Sequence, residues 1–130
     1  MTTTINASPT NGIVQTADGS GVMKLQSNGV TTNALAWVNF AGTTGAIRAS
    51  YNVSSVTRAS AGLYTVNFTT ALTDANYAVA GTCGSGGSVG GIVFGNYQLA
   101  PTTTACTILT LSFAGSTTDY TYTSLAIHGN

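Results

Sequence analysis

The run AWVNFAGTTGAIRASYNVSSVTRASAGLYTVNF, Ala36 to Phe68, decides the fold class. From Ile47 to Val53 every second residue (Ile47, Ala49, Tyr51, Val53) is apolar, and Arg48, Ser50 and Asn52 stand between them. Alternation of period two belongs to a strand with one face in a core and the other in water. From Tyr64 to Phe68 the pattern returns, with Tyr64, Val66 and Phe68 against Thr65 and Asn67. Gly42-Thr43-Thr44-Gly45 and Ala59-Ser60-Ala61-Gly62 break the runs with residues that favour turns.

Working outward, Ala36–Phe40, Tyr77–Cys83, Ile92–Phe94, Cys106–Phe113 and Tyr120–His128 are further strand candidates, rich in Thr, Val and Tyr. In the last, Tyr120 and Tyr122 share one parity and Leu125 and Ile127 the other, so either a bulge near Ser124 or burial of both faces is expected. No window holds apolar residues at i, i+3, i+4 and i+7; one helical turn at Ala71–Ala75 is the only helix expected. Several short strands at regular spacing predict an all-β protein, an antiparallel β-sandwich or jelly-roll-like head over residues 34–130. Residues 1–33 differ. Asn11-Gly12, Asp18-Gly19 and Asn28-Gly29 separate short apolar pieces there, which reads as an attachment or shaft segment, or else as an N-terminal hairpin of the head.

Only 5% of the 130 residues are charged, and the net charge is zero: Lys24, Arg48 and Arg58 oppose Asp18, Asp74 and Asp119, and Glu is absent. Average soluble domains carry roughly 25% charged residues. A surface so poor in charge points to burial against other subunits, with an uncharged monomer as the alternative. Three scattered basic residues exclude nucleic acid as a partner, which needs clustered Lys and Arg, and they disfavour anionic membranes. No apolar run approaches the roughly 20 residues of a membrane span, and Met1–Ile5 shows no secretory n-region and h-region. The expectation is manufacture in a cytoplasm.

Catalysis finds little support. Glycoside hydrolysis needs two carboxylates flanking one bond, whereas Asp18, Asp74 and Asp119 sit in separate turn-like contexts. Asp74 reads as a turn residue bonding its own backbone. A Ser-His-Asp site would rest on His128, and no G-x-S-x-G is present. The glycine-rich Gly84–Gly91 stretch lacks the GK[ST] ending of a phosphate loop and reads as an inter-strand loop. If that loop binds, Ser85 and Ser88 with Asn96, Tyr97 and Gln98 supply the hydroxyl, amide and aromatic groups that suit a neutral glycan. Cys83 and Cys106 are either one disulfide or two buried thiols. No zinc spacing surrounds them, and no cofactor is expected. His128 becomes a metal candidate only if three chains bring three imidazoles to one axis. Trp37 reads as a core or interface anchor, with a sugar-stacking platform as the other reading. The sequons at Asn6, Asn52 and Asn67 carry no weight without a secretory signal.

Two stretches, Ala36-Trp37-Val38-Asn39-Phe40 and Ile47-Arg48-Ala49-Ser50-Tyr51-Asn52-Val53-Ser54-Ser55-Val56-Thr57, together resemble a module of tailed-bacteriophage fibre and virion proteins, cyanophage fibres among them. Gly62–Phe68 and Asp74–Val79 extend the resemblance, and Gly21–Gly29 looks like a fibre segment. It covers roughly residues 21–80 and fades beyond Cys83. The resemblance implies a homotrimeric, β-rich, non-enzymatic appendage at a fibre tip, baseplate or capsid, attached to other virion proteins through its N-terminal segment. A chain of this length implies a short fibre, a tip subunit or a decoration fibre. Two functions then compete: host receptor binding through a surface polysaccharide, and a structural role that binds only virion proteins. A stand-alone lectin is a third.

Overall fold

In a computed structural model the described residues are 25–27, 30–87, 90–95 and 99–129. Within them the chain is all-β and antiparallel, with no helix. The Ala71–Ala75 turn of helix expected from sequence is irregular chain instead. A small hairpin, β1 (Gln26–Ser27) with β2 (Val30–Thr31), stands apart from two four-stranded sheets. Sheet 1 has the order β4-β3-β10-β7, from Ile47–Tyr51, Ala36–Phe40, Tyr122–His128 and Ala78–Gly84. Sheet 2 has the order β5-β6-β9-β8, from Val53–Ser60, Leu63–Phe68, Ala105–Leu111 and Ile92–Gly95. The first 24 residues of the expected attachment segment lie outside the described residues.

The sheets face each other across one core. Leu35, Val38, Phe40, Leu125 and Ile127 come from sheet 1 and its approach, and Tyr64, Val66, Phe68, Cys106 and Ile108 from sheet 2. The Phe40 ring meets Tyr64 edge-on, centroids 5.1 Å apart, so one aromatic pair spans the layers. Strict alternation on β6 and β9 leaves every second residue buried, as period two requires. The flank between β7 and β8 is tied by a bridge between Cys83 and Gly91, with Gly91 N donating to Cys83 O at 3.0 Å.

Two departures from the sequence reading have local causes. Ile47–Val53 is not one strand. Asn52 adopts φ 54° and turns the chain from β4 in sheet 1 to β5 in sheet 2. A register shift between Asn39 and Phe40 pairs Asn39 with Ala49 but Phe40 with Ile47, leaving Arg48 as the extra residue. Ile47 therefore faces the core beside Phe40, while Ala49 and Tyr51 go to the outer face with Asn39 and Trp37. In β10 neither expected outcome occurs. Its register runs unbroken from Tyr122 to His128, and Thr123, Leu125 and Ile127 are the buried set. Tyr122 is exposed, and Tyr120 is buried ahead of the strand.

Thr123 thus fills a core position that its sequence neighbourhood does not announce. Its Oγ1 is fully buried and has no hydrogen-bond partner in the structure. An unsatisfied buried hydroxyl costs roughly 1–3 kcal/mol, and Val keeps the β-branched shape. Thr123→Val is therefore expected to stabilise the protein by about 1 kcal/mol, read as a higher urea midpoint with an unchanged m-value.

Candidate functional site

The outer face of sheet 1 carries two exposed aromatic side chains, Trp37 and Tyr122, among polar groups. Residues opposite each other in antiparallel strands project from the same face, so the pairing defines its rows. Tyr51, Trp37, Ala126 and Ala80 form one row, and Ala49, Asn39, Ser124 and Thr82 the next. Tyr122, opposite Gly84, lies one further step along β10. Trp37 is 41% exposed and Tyr122 52%. Between them Asn39 Nδ2 donates to Ser124 Oγ at 2.7 Å, which leaves Asn39 an acceptor and Ser124 a hydroxyl proton.

At the Tyr122 end the site meets the glycine-rich loop. Arg48, displaced outward by the bulge, lays its guanidinium over the Tyr122 ring, Cζ 4.6 Å from the centroid. Its Nη2 donates to Thr121 O at 2.7 Å. Thr121 N in turn donates to Ser85 Oγ at 3.2 Å, and the two hydroxyls lie 3.3 Å apart. Of the five residues expected to bind, Ser85 lies within the described residues; Ser88, Asn96, Tyr97 and Gln98 lie outside them. Among the described residues Ser85 bonds Thr121 alone, and Thr121 O in turn holds Arg48; local sequence does not announce this chain, because Arg48 and Thr121 stand 73 residues apart. One signal was available. In Ala36–Phe40, Ala36, Val38 and Phe40 share a parity, which places Trp37 and Asn39 on the opposite face.

Trp37 is accordingly not a core anchor. His128 is exposed at the end of β10, and the described residues hold no group of three or more metal-ligating side chains. Both cysteines are free and buried, Cys83 opposite Thr123 in sheet 1 and Cys106 opposite Val66 in sheet 2. Burial raises both thiol pKa values, that of Cys106 to about 12, so both stay protonated and pack as small apolar side chains.

A second polar constellation ties the segment before β10 to the β5–β6 hairpin. Asp119 Oδ2 accepts from Arg58 Nε at 2.9 Å and Nη2 at 2.6 Å. Asp119 Oδ1 accepts from the backbone N–H of Gly62 at 2.9 Å and from the Tyr64 hydroxyl at 2.6 Å. The Arg58 bonds foremost, opposed by burial and helped by Tyr64 and Gly62, hold the carboxyl down at about 2. Burial, followed by the bond to Asp119, raises the Tyr64 pKa well above the ordinary phenol. With all its lone pairs engaged, this carboxylate is a structural tie and not a proton shuttle. Asp74 Oδ1 accepts from Asn76 N at 2.7 Å, the turn bond read from its sequence.

The fold and site together define an all-β protein of two antiparallel four-stranded sheets, with a polar and aromatic outer face on one of them, edged by Arg48. Comparison with protein-family models, curated proteins and solved structures returns no match.

Proposed function

We propose that this protein is a non-enzymatic virion appendage of a tailed bacteriophage, a short fibre or fibre-tip protein that recognises a glycan on the host-cell surface. The observation that carries the reading is the outer face of sheet 1. Trp37 and Tyr122 stand exposed there on hydrogen-bonded strands, with Asn39, Ser124 and Ser85 beside them. Aromatic faces stack on sugar C–H surfaces, and amide and hydroxyl groups match sugar hydroxyls. The head is proposed as a β-sandwich. From β3 to β10 four of the seven steps between successive strands cross from one sheet to the other, and β3–β4, β5–β6 and β8–β9 stay within one; a jelly-roll-like order is the finer form of the same proposal. The assembly is a homotrimer on the virion, attached through the N-terminal segment, and the charge content of 5% supports burial of surface between chains.

The test is binding of the purified chain to a panel of marine and freshwater bacterial cells, cyanobacteria included. Trp37→Ala and Tyr122→Ala are each expected to weaken retention by about tenfold with little change in thermal midpoint, because both side chains are exposed. A well-folded protein that no cell retains counts against receptor binding.

A structural or decoration role, with virion proteins as the only partners, is the second reading, and the outer face of sheet 2 favours it. Leu63, Leu109 and Phe94 stand side by side there, next to Leu111 and Ile92. Phe94 and Ile92 are 47% and 40% exposed. Such a patch marks an interaction surface. A second copy of this chain is the occupant proposed under the trimer reading. A solution mass of three chains by light scattering, lost when Phe94 and Leu109 are both replaced by Asn, is the expected result; a single-chain mass for the parent leaves a virion neighbour as the occupant.

A further inference from the structure

We infer that the ligand of the sheet 1 face is an acidic saccharide and that Arg48 selects its acid group; this rests on the glycan reading above. The charged side chains whose contacts are described are few, and all but one are committed. Arg58 and Asp119 pair with each other, and Asp74 closes its own turn. Arg48 has no carboxylate partner among the described residues. It is also held in place. The Tyr122 ring lies under the guanidinium, Thr121 O accepts from Nη2, and Thr121 N donates to Ser85 Oγ. The remaining donors of the fork make no bond to described residues, and their planar geometry fits a carboxylate through two parallel bonds. A cation pre-positioned in this way gives up less rotamer entropy on binding than a free lysine or arginine does.

The rest of the face sets the geometry of the ligand. Tyr122 and Ala126 are separated by four residues of β10, about 13 Å at strand rise, and Ala126 lies opposite Trp37. Asn39 and Ser124 fall midway. An oligosaccharide lying along β10 can therefore stack one ring on Trp37, bond hydroxyls to Asn39 and Ser124, and place its carboxylate at Arg48. Ala49, Ala80 and Ala126 add no bulk to this face, so a ring can approach the sheet closely.

The test is an array of uronate- and sialate-containing oligosaccharides, printed beside the same compounds with their carboxyl groups reduced to alcohols. The intact chain is expected to be retained on acidic members, about tenfold more weakly on their reduced counterparts, and less as salt is raised. Arg48→Gln is expected to abolish the difference between acidic and reduced members, and Arg48→Lys to restore part of it, with unchanged circular dichroism in both. Equal retention of acidic and reduced members, or an acid preference that survives in Arg48→Gln, overturns the acidic ligand and leaves the glycan reading standing. A folded chain that is retained on no sugar of either kind overturns both.

Discussion

Replacing Asp119 by alanine is expected to lower the unfolding free energy by about 4 kcal/mol, a large share of the 5–15 kcal/mol that ordinary domains possess. The size follows from what the carboxylate holds. Tyr64 is fully buried, so its hydroxyl loses a charge-assisted acceptor and finds no water in exchange, a cost of roughly 1–3 kcal/mol. The Gly62 N–H loses its acceptor at a turn with φ 72°, for about 1 kcal/mol more. The Arg58 pair, partly exposed, adds the least. Asp119→Asn keeps the shape, but whichever of Arg58 and Tyr64 faces its new N–H₂ must lose an acceptor, so an intermediate loss is expected. The same site sets an acid limb. The folded carboxyl titrates at about 2 against an ordinary 3.8. A depressed folded pKa means that the contribution is complete above the unfolded value and is lost as pH falls from about 4 through about 2. Linkage gives about 2 kcal/mol for that window. Denaturant midpoints measured between pH 6 and pH 2 should fall for the parent and much less for Asp119→Asn. Parallel curves for the two proteins would show that Asp119 is not the group responsible.

Nothing in the sequence around Asp119 announces this tie. Arg58, Gly62, Tyr64 and Asp119 are joined across more than 50 positions, and each has an ordinary local reading: a polar strand residue, a turn glycine, a core tyrosine, a loop carboxylate. Local patterning does better where burial is one-sided. β3, β6 and β9 sit between two neighbours, so their inward parity is apolar except at Thr110, and Ala36–Phe40, Tyr64–Phe68 and most of Cys106–Phe113 are legible as strands for that reason. β5, Val53–Ser60, is an edge strand with Val53 as its one buried residue, so its polar sequence gave no strand signal. Thr123 shares the parity of Leu125 and Ile127 and takes a core position with them, while the apolar Tyr122 faces out, because pairing with Phe40 and Cys83, not hydropathy, fixes which face a residue joins. On the candidate site the sequence offers Ser85 and Trp37, and the parity of Ala36–Phe40 gives the direction of Trp37. The link from Ser85 to Arg48 and Tyr122 required the fold, since a one-residue bulge is what turns Arg48 outward.

Asn52 makes the strongest case of a residue whose alternation concealed its role, and its replacement should show it. Read along Ile47–Val53 it is simply another polar residue on the wet face. In the structure it carries the chain between sheets in the left-handed region, at φ 54°. Its Oδ1 accepts from Thr70 N at 2.8 Å, and its Nδ2 donates to Leu35 O and Thr70 O, each at 3.2 Å. Its own carbonyl accepts from Thr69 N at 3.2 Å. One side chain thus ties the approach to β3, the end of β6 and the crossing from β4 to β5. Asparagine is also the side chain that tolerates the left-handed region best after glycine. Two effects can be separated by two variants. Asn52→Gly keeps the backbone freedom and removes the side-chain bonds, an expected loss of about 2 kcal/mol. Asn52→Ala removes the bonds and adds the left-handed penalty of a Cβ, for a loss of about 3 kcal/mol. Alanine should therefore be the less stable variant by about 1 kcal/mol, although on a regular strand glycine is the worse residue. Urea unfolding of the three proteins decides the matter. An alanine variant as stable as the glycine one would mean that Asn52 does not hold a left-handed corner in solution, and the route from sheet 1 to sheet 2 would have to be drawn differently.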